Sequence, residues 1–170
     1  MLTYLVQIRR LGEHKRKENE ELRRHLKRHA MAERRLRNIA AQVEDAVDCT
    51  VCANCCRVAT ARVTERDVER LAKFFKVKTA QVLADFTDRN EEEGLILKRT
   101  GKGCVFLEGN LCTVYGARPA TCEDFPHLVR GPGSLVSRMW EMPDRATYCP
   151  IAYNTLEAFK KESGFPVTRK

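Results

Sequence analysis

Residues 49–56 read Cys49-Thr50-Val51-Cys52-Ala53-Asn54-Cys55-Cys56, and this octet decides how the rest of the chain is understood. It holds four of the eight cysteines; the others are Cys104, Cys112, Cys122 and Cys149, with none before residue 49 or after residue 149. Two C-x-x-C steps ending in an adjacent pair set thiols at the spacing of a metal chelate. All eight cysteines are therefore candidate metal ligands. Zinc takes four thiolates in a tetrahedron, and an iron–sulfur cluster takes the same number. Eight thiols allow two such sites, or one site with thiols to spare. Cys49, Cys52 and Cys55 match the first three positions of a ferredoxin-type run, but its fourth cysteine does not follow locally, and the only Cys-Pro step is Cys149-Pro150. Spacing alone leaves zinc and an iron–sulfur cluster both open.

The competing readings are a disulfide framework and ordinary buried cysteines. Disulfides need an oxidising compartment. Met1 to Ile8 is only weakly apolar and is followed by Arg9-Arg10, whereas a secretory leader carries an unbroken apolar run of roughly 7–15 residues. Nor is there an apolar stretch of about 18 residues, so no membrane span is expected. The expectation is a cytoplasmic chain with reduced thiols. Adjacent Cys55 and Cys56 also suit a staple poorly.

Upstream of the octet the chain is helical and basic. Between Arg9 and Arg37 there are twelve Lys and Arg against five acids, which is most of the net +8 carried by the 170 residues. Residues 1–47 contain no proline and one glycine, Gly12. Good helix formers dominate, so one or two long helices are expected. Leu36, Ile39, Ala40, Val43, Ala46 and Val47 fall at helical spacing, extended thinly by Leu22, Leu26 and Ala30. The stretch Gly12 to Glu21 lacks a large apolar residue and is expected to face solvent or bend. Glu20 with Arg24, and Glu33 with Arg37, are helix-favouring pairs. His14, His25 and His29 are read as surface residues. The basic segment is read first as a solvated helix face, and next as suiting an unidentified protein partner or self-association. Nucleic acid is disfavoured, because Tyr4 is the one aromatic available for stacking here.

Downstream, Thr64 with Asp67 resembles a capping box before a helix carrying Val68, Leu71, Phe74 and Phe75. Thr79 is read as the cap of a helix with Val82, Leu83 and Phe86. Asn90 to Gly94 is a polar turn and Leu95 to Leu97 a short strand. Cys104 to Leu107 and Leu111 to Tyr115 flank Glu108-Gly109-Asn110 as one β-hairpin with a cysteine near each end. Ala120 to Asp124 turns helically, Gly131 to Gly133 is a loop, and Leu135 to Met142 is read as a strand. Pro150 suits the first turn of a last helix with Ile151, Tyr153, Leu156 and Phe159. The expected class is α+β: a small cysteine-rich metal-binding domain at 48–170, with a short hairpin and several helices, preceded by a basic helical extension at 1–47.

These residues together resemble the YkgJ-type cysteine-cluster family of zinc- or iron-chelating domains, whose name-giving C-x-x-C-x-x-C-C stands at Cys49 to Cys56. The second signature follows in order: Cys104-Val105-Phe106-Leu107, Cys112-Thr113-Val114-Tyr115, Arg118-Pro119, Cys122 and Phe125-Pro126. The match covers roughly residues 49–150 and implies metal binding but no particular reaction. Arg118 reads as a donor to thiolate sulfurs or to a carboxylate, its five N–H groups forming a rigid fork. Pro119 and Pro126 stiffen the approach to Cys122. Tyr115 and Phe125 read as an apolar wall or plain core. His127 is the one histidine in the metal window, a ligand, a supporting donor or a bystander.

The chain has no paired catalytic carboxylates, Gly-rich phosphate loop, H-E-x-x-H or nucleophile elbow, so no enzymatic activity is assigned. The reading is a cysteine-ligated metal-binding protein holding zinc or an iron–sulfur cluster such as [4Fe-4S], with redox work one role. The alternative is a structural zinc module serving as an interaction adaptor through its basic N-terminal helix.

Overall fold

The computed structural model describes residues 1–28 and 32–166; the expectations for His29 and Ala30 lie outside them. The chain runs through α1 (Leu5–His14), α2 (Arg16–Arg28), α3 (Ala32–Asp45), α4 (Cys49–Cys52), α5 (Asn54–Val58), α6 (Glu65–Phe75) and α7 (Thr79–Phe86). Three antiparallel strand pairs follow: β1 (Thr87–Asn90) with β2 (Gly94–Leu97), β3 (Arg99–Thr100) with β4 (Gly103–Cys104), and β5 (Leu107–Glu108) with β6 (Leu111–Cys112). Then come α8 (Ala120–Glu123), α9 (Leu135–Arg138), α10 (Met142–Arg145) and α11 (Pro150–Ser163). Helices with small antiparallel pairs make the fold α+β, as expected. The backbone divides into two compact units, Met1–Asp48 with Phe125–Lys170, and Cys49–Asp124.

The first unit is helical and built from both parts of the chain. Ile8, Leu22, Leu26, Leu36 and Ile39 share one apolar core with Met139, Met142, Ile151, Leu156 and Phe159. Pro150 occupies the first turn of α11, where its missing N–H costs nothing, and Gly164 closes the helix in the left-handed region at φ 67°. The Gly12 to Glu21 stretch is not exposed throughout, because Gly12, Glu18 and Asn19 are buried. A Cβ on Gly12 would stand 2.5 Å from the Ala146 carbonyl oxygen and 2.7 Å from Thr147 Cα, so α1 approaches that backbone as only glycine permits. Glu18 and Asn19 are buried by Lys160 of α11, whose ammonium, 1 % exposed, meets the Glu18 and Glu157 carboxylates and lies 3.1 Å from Asn19 Oδ1. Paired charges make a polar helix side buriable.

The 135–142 segment is helical, not a strand. Leu135, Met139 and Met142 recur at helical spacing and are all buried. The Ser134 hydroxyl accepts from Ser137 N–H at 3.1 Å and starts the turn.

In the second unit, α6 opens with the expected capping box. Thr64 Oγ1 accepts from Asp67 N–H at 3.2 Å and Asp67 Oδ2 accepts from Thr64 N–H at 2.9 Å. Thr79 is not the cap of α7; extended Lys78 precedes the helix without a side-chain cap bond, and Thr79 is its first residue. Val68, Leu71 and Val82 form the core with Leu97, Phe106 and Val114, whereas Phe74 and Leu83 are exposed. Phe86 lies 5.0 Å, centroid to centroid, from both Phe75 and Phe106. β1 and β2 pair around the expected polar turn, Thr87 opposite Leu97 and Asn90 opposite Gly94. Cys104 and Cys112, however, do not share one hairpin. Cys104 in β4 faces Arg99, and Cys112 in β6 faces Leu107.

Candidate metal centre

The cysteine octet forms two short helical turns, α4 and α5, joined at Ala53. That residue is buried and left-handed at φ 45°, which reverses the chain between Cys52 and Cys55. Arg57, Asn110 and Arg99 tie this loop to the cysteine-bearing hairpins. Arg57, directly after Cys56, donates to the Cys52 carbonyl at 3.0 Å, to the Gly109 carbonyl at 2.9 Å and to Asn110 Oδ1. Asn110 Nδ2 returns a bond to the Val51 carbonyl at 2.8 Å. From β3, Arg99 donates to the Ala59 carbonyl at 2.5 Å and to the Arg57 carbonyl. Gly103 completes the seat. Its φ is +123°, and a Cβ there would stand 2.6 Å from the Cys56 carbonyl oxygen and 2.9 Å from Arg57 Cα. The backbone bearing Cys104 therefore lies directly against the backbone bearing Cys56.

The sulfurs feel one another. Burial raises the Cys104 and Cys112 thiols above their ordinary range, opposed in each by an N–H bond from the residue two positions on, Phe106 and Val114 respectively. Burial pushes Cys122, on α8, up to about 12, with the charges of Cys104, Cys56 and Cys112 adding to the rise. Cys56 departs in the other direction. A hydrogen bond from Cys55 lowers it to about 6 against the effect of burial, helped by the positive charges of Arg57 and Arg118. Four thiols from α5, β4, β6 and α8 thus lie within mutual electrostatic reach, where one thiolate discourages the next. A cation among them reverses that cost, which is how metal binding couples to proton release.

Arg118 sits beside this group. Its guanidinium carbon is 3.6 Å from the centroid of the Tyr115 ring, and its Nε is buried without a hydrogen-bond partner. Its charge favours the thiolate form of Cys56, Cys112 and Cys122. Tyr115 itself is exposed, so it carries Arg118 on its face rather than forming a dry wall.

Seven of the eight cysteines belong to the Cys49–Asp124 unit. Cys149 is buried in the apolar core of the other unit, immediately before α11. His127 is in that unit as well, buried, with its carbonyl accepting from Arg138 Nε at 2.8 Å. No disulfide joins the eight cysteines. Among the described residues, no three His, Cys, Asp or Glu side chains are set at metal-holding distances. Arg57, Arg99, Gly103 and Asn110 were not marked by sequence reasoning as parts of the site. Only the adjacency of Arg57 to Cys56 and the Gly-Asn turn at 109–110 pointed toward them.

Soft sulfur donors without a competing carboxylate cage are the ligand chemistry of zinc and thiolate-bound iron. The donor set fits such a metal, and the unpartnered buried Nε of Arg118 fits a negatively charged thiolate centre. Comparison with known families places the chain within this class. The family model "CxxCxxCC: Putative zinc- or iron-chelating domain" matches residues 48–150. That span exceeds half of the chain, and the chain belongs to this family. No curated protein and no solved structure matches it. Among the described residues, no helix is long and apolar enough to cross a membrane.

Proposed function

We propose that the Cys49–Asp124 unit is a thiolate metal centre for zinc or iron, with Cys56, Cys104, Cys112 and Cys122 as its inner ligands and Cys49, Cys52 and Cys55 available from the same loop. The observation that carries this reading is the close seating of the Cys104 backbone on the Cys56 backbone at Gly103, within the stretch matched by the zinc- or iron-chelating family. Bound there, the metal supplies a cross-link of the fold and, as an iron–sulfur cluster, one-electron transfer. The chain's own residues fix the ligand loop: Arg57, Asn110 and Arg99 hold the octet against the two hairpins, and Gly103 permits the close backbone approach.

Anaerobic purification followed by elemental analysis and an ultraviolet–visible spectrum tests this. Iron with sulfide and a broad band near roughly 400 nm identifies an iron–sulfur cluster and a redox role. Zinc in colourless protein identifies a structural module. Protein that takes up neither metal, with its thiols reduced, overturns the reading.

A further inference from the structure

The turn that carries Cys122 takes its support from another element. α8 is four residues long and Pro119 before it makes no side-chain cap bond, so it is far too short to hold itself as a helix. The support comes from α6. Asp67 is 3 % exposed, and its two carboxylate oxygens face different helices. Oδ2 accepts from Thr64 N–H at 2.9 Å and from Thr64 Oγ–H at 2.7 Å, which closes the cap of α6. Oδ1 accepts from Ala120 N–H, the first amide of α8, at 3.0 Å and from Arg70 at 2.6 Å. One carboxylate therefore caps two helices, its own and α8. Arg70 carries the link past the cysteine, because the same guanidinium reaches Glu123 Oε2 at 3.4 Å. α8 is thus tied to α6 two residues before Cys122 and one residue after it.

We infer that Asp67, with Arg70, is a latch that positions Cys122: it fixes the turn of α8 on α6 and so sets where this thiol stands. The inference deepens the metal-centre reading above and rests on it for its purpose, while the latch itself stands on hydrogen bonds. Bonds accepted by an ionised carboxylate are roughly twice as strong as neutral ones, and a buried carboxylate that loses one is left with an unmet acceptor. Movement of α8 away from α6 is therefore opposed by Asp67 directly. The latch and a plain α6 cap differ in which thiols they protect. Loss of a cap loosens the Cys49–Asp124 unit as a whole and bares its cysteines together. Loss of the latch frees Cys122 ahead of Cys104 and Cys112, which stand in β4 and β6.

The test is alkylation of the full chain, reduced and under native conditions, with iodoacetamide, followed by mass mapping of each cysteine. Wild type is compared with Asp67→Ala, Arg70→Met and Thr64→Ala, the last removing the α6 cap hydroxyl while leaving Asp67 against Ala120. The expected result in Asp67→Ala is Cys122 modified about tenfold faster relative to Cys104 and Cys112, the scale of losing a hydrogen bond to a charged group. Arg70→Met shows a smaller selective rise, and Thr64→Ala shows only a rise common to the three thiols. Zinc affinity, read by competition with a chromophoric chelator, falls by about 10-fold in Asp67→Ala, the lower end of what groups supporting metal ligands contribute. A Cys122 rate in Asp67→Ala that rises only in step with Cys104 and Cys112 overturns the inference, as does a selective rise in Thr64→Ala as large as in Asp67→Ala. If Asp67→Ala lacks a native circular dichroism signal, Arg70→Met decides, and an unchanged ratio there overturns it. A selective rise at Cys122 with wild-type zinc affinity upholds the latch and removes Cys122 from the ligands. Metal content of the wild type is measured alongside, so a chain that takes up no metal refutes the metal-centre reading while the Cys122 ratio still decides the latch.

Discussion

Replacing Gly103 with alanine should damage the site through the backbone alone. At φ +123° the residue occupies a region that L side chains rarely adopt, and the new methyl would sit 2.6 Å from the Cys56 carbonyl oxygen and 2.9 Å from Arg57 Cα. Strain of about 1–3 kcal/mol is usual for a non-glycine residue held there. Overpacking against groups that cannot rotate away adds about 1–3 kcal/mol. Together the change should cost about 2–6 kcal/mol, a large part of the roughly 5–15 kcal/mol that holds a typical domain together. Relief comes only by moving β4 away from α5, which separates Cys104 from Cys56 and should weaken metal binding too. Gly101→Ala is the matched control, since it lies two residues earlier in the same hairpin and a Cβ there meets nothing within 4 Å. Urea denaturation and zinc competition would be run on both variants. A Gly103→Ala protein within about 0.5 kcal/mol of the Gly101→Ala control, the ordinary range for a harmless surface change, would refute the close-seating argument.

Chelation should loosen or unfold the Cys49–Asp124 unit, because metal binding energy is there folding energy; melting curves with and without a strong chelator should separate, and coincident curves after confirmed metal loss would count against a structural metal. Asp67→Asn should destabilise the same unit by about 1–3 kcal/mol at neutral pH, since Asp67 accepts from Thr64 N–H and Oγ–H, from Ala120 N–H at 3.0 Å and from Arg70. Burial alone would raise this carboxyl, but the Thr64 and Ala120 bonds and the Arg70 charge hold it below its ordinary range. Its contribution is therefore present above a normal carboxylate pKa of about 4 and disappears as pH falls through its depressed native value. Urea midpoints from pH 7 to 3 should fall more steeply for wild type than for Asp67→Asn, and parallel curves would contradict this. In the helical unit, Lys160→Met should cost about 3–5 kcal/mol by leaving the Glu18 carboxylate buried and unpaired; a thermal melt equal to wild type would show that the buried pair is dispensable.

How far the sequence revealed the fold depended on the distance over which each feature is encoded. α6 was legible because its cap, Thr64 with Asp67, lies within four consecutive residues. α11 was legible from Pro150 and a regular apolar stripe. The burial of Glu18 was hidden because its partner Lys160 is 142 positions away, and apolar periodicity carries no sign of a charge pair. Leu135 to Met142 misled because its three buried residues suit a helix while the polar residues between them are too few to mark a face. The separation of Cys104 and Cys112 into two hairpins was missed because the turn after Cys104, Val105-Phe106, has neither glycine nor asparagine to announce it. The thiols proposed as ligands stood out in the sequence because they are rare and clustered. Their supports did not, because Arg57, Arg99 and Asn110 act through backbone carbonyls, and a carbonyl leaves no trace in an amino-acid pattern.

The two parts of the helical unit lie on either side of residues 49–124 in the chain, and this imposes an order of events during synthesis. The thiol-bearing unit is contiguous and can close on its own residues as soon as they have emerged. The first 48 residues must wait for Phe125 onward before their core is complete. At about 5–20 residues per second, that wait lasts several seconds. Through it Ile8, Leu22 and Leu26 lack the apolar partners of α11. The nascent chain thus carries a bare hydrophobic stripe on its first helices while the residues of the thiol-bearing unit are already complete. Chaperone demand should fall on the N-terminal helices, and metal supply should be needed earlier than the helical core.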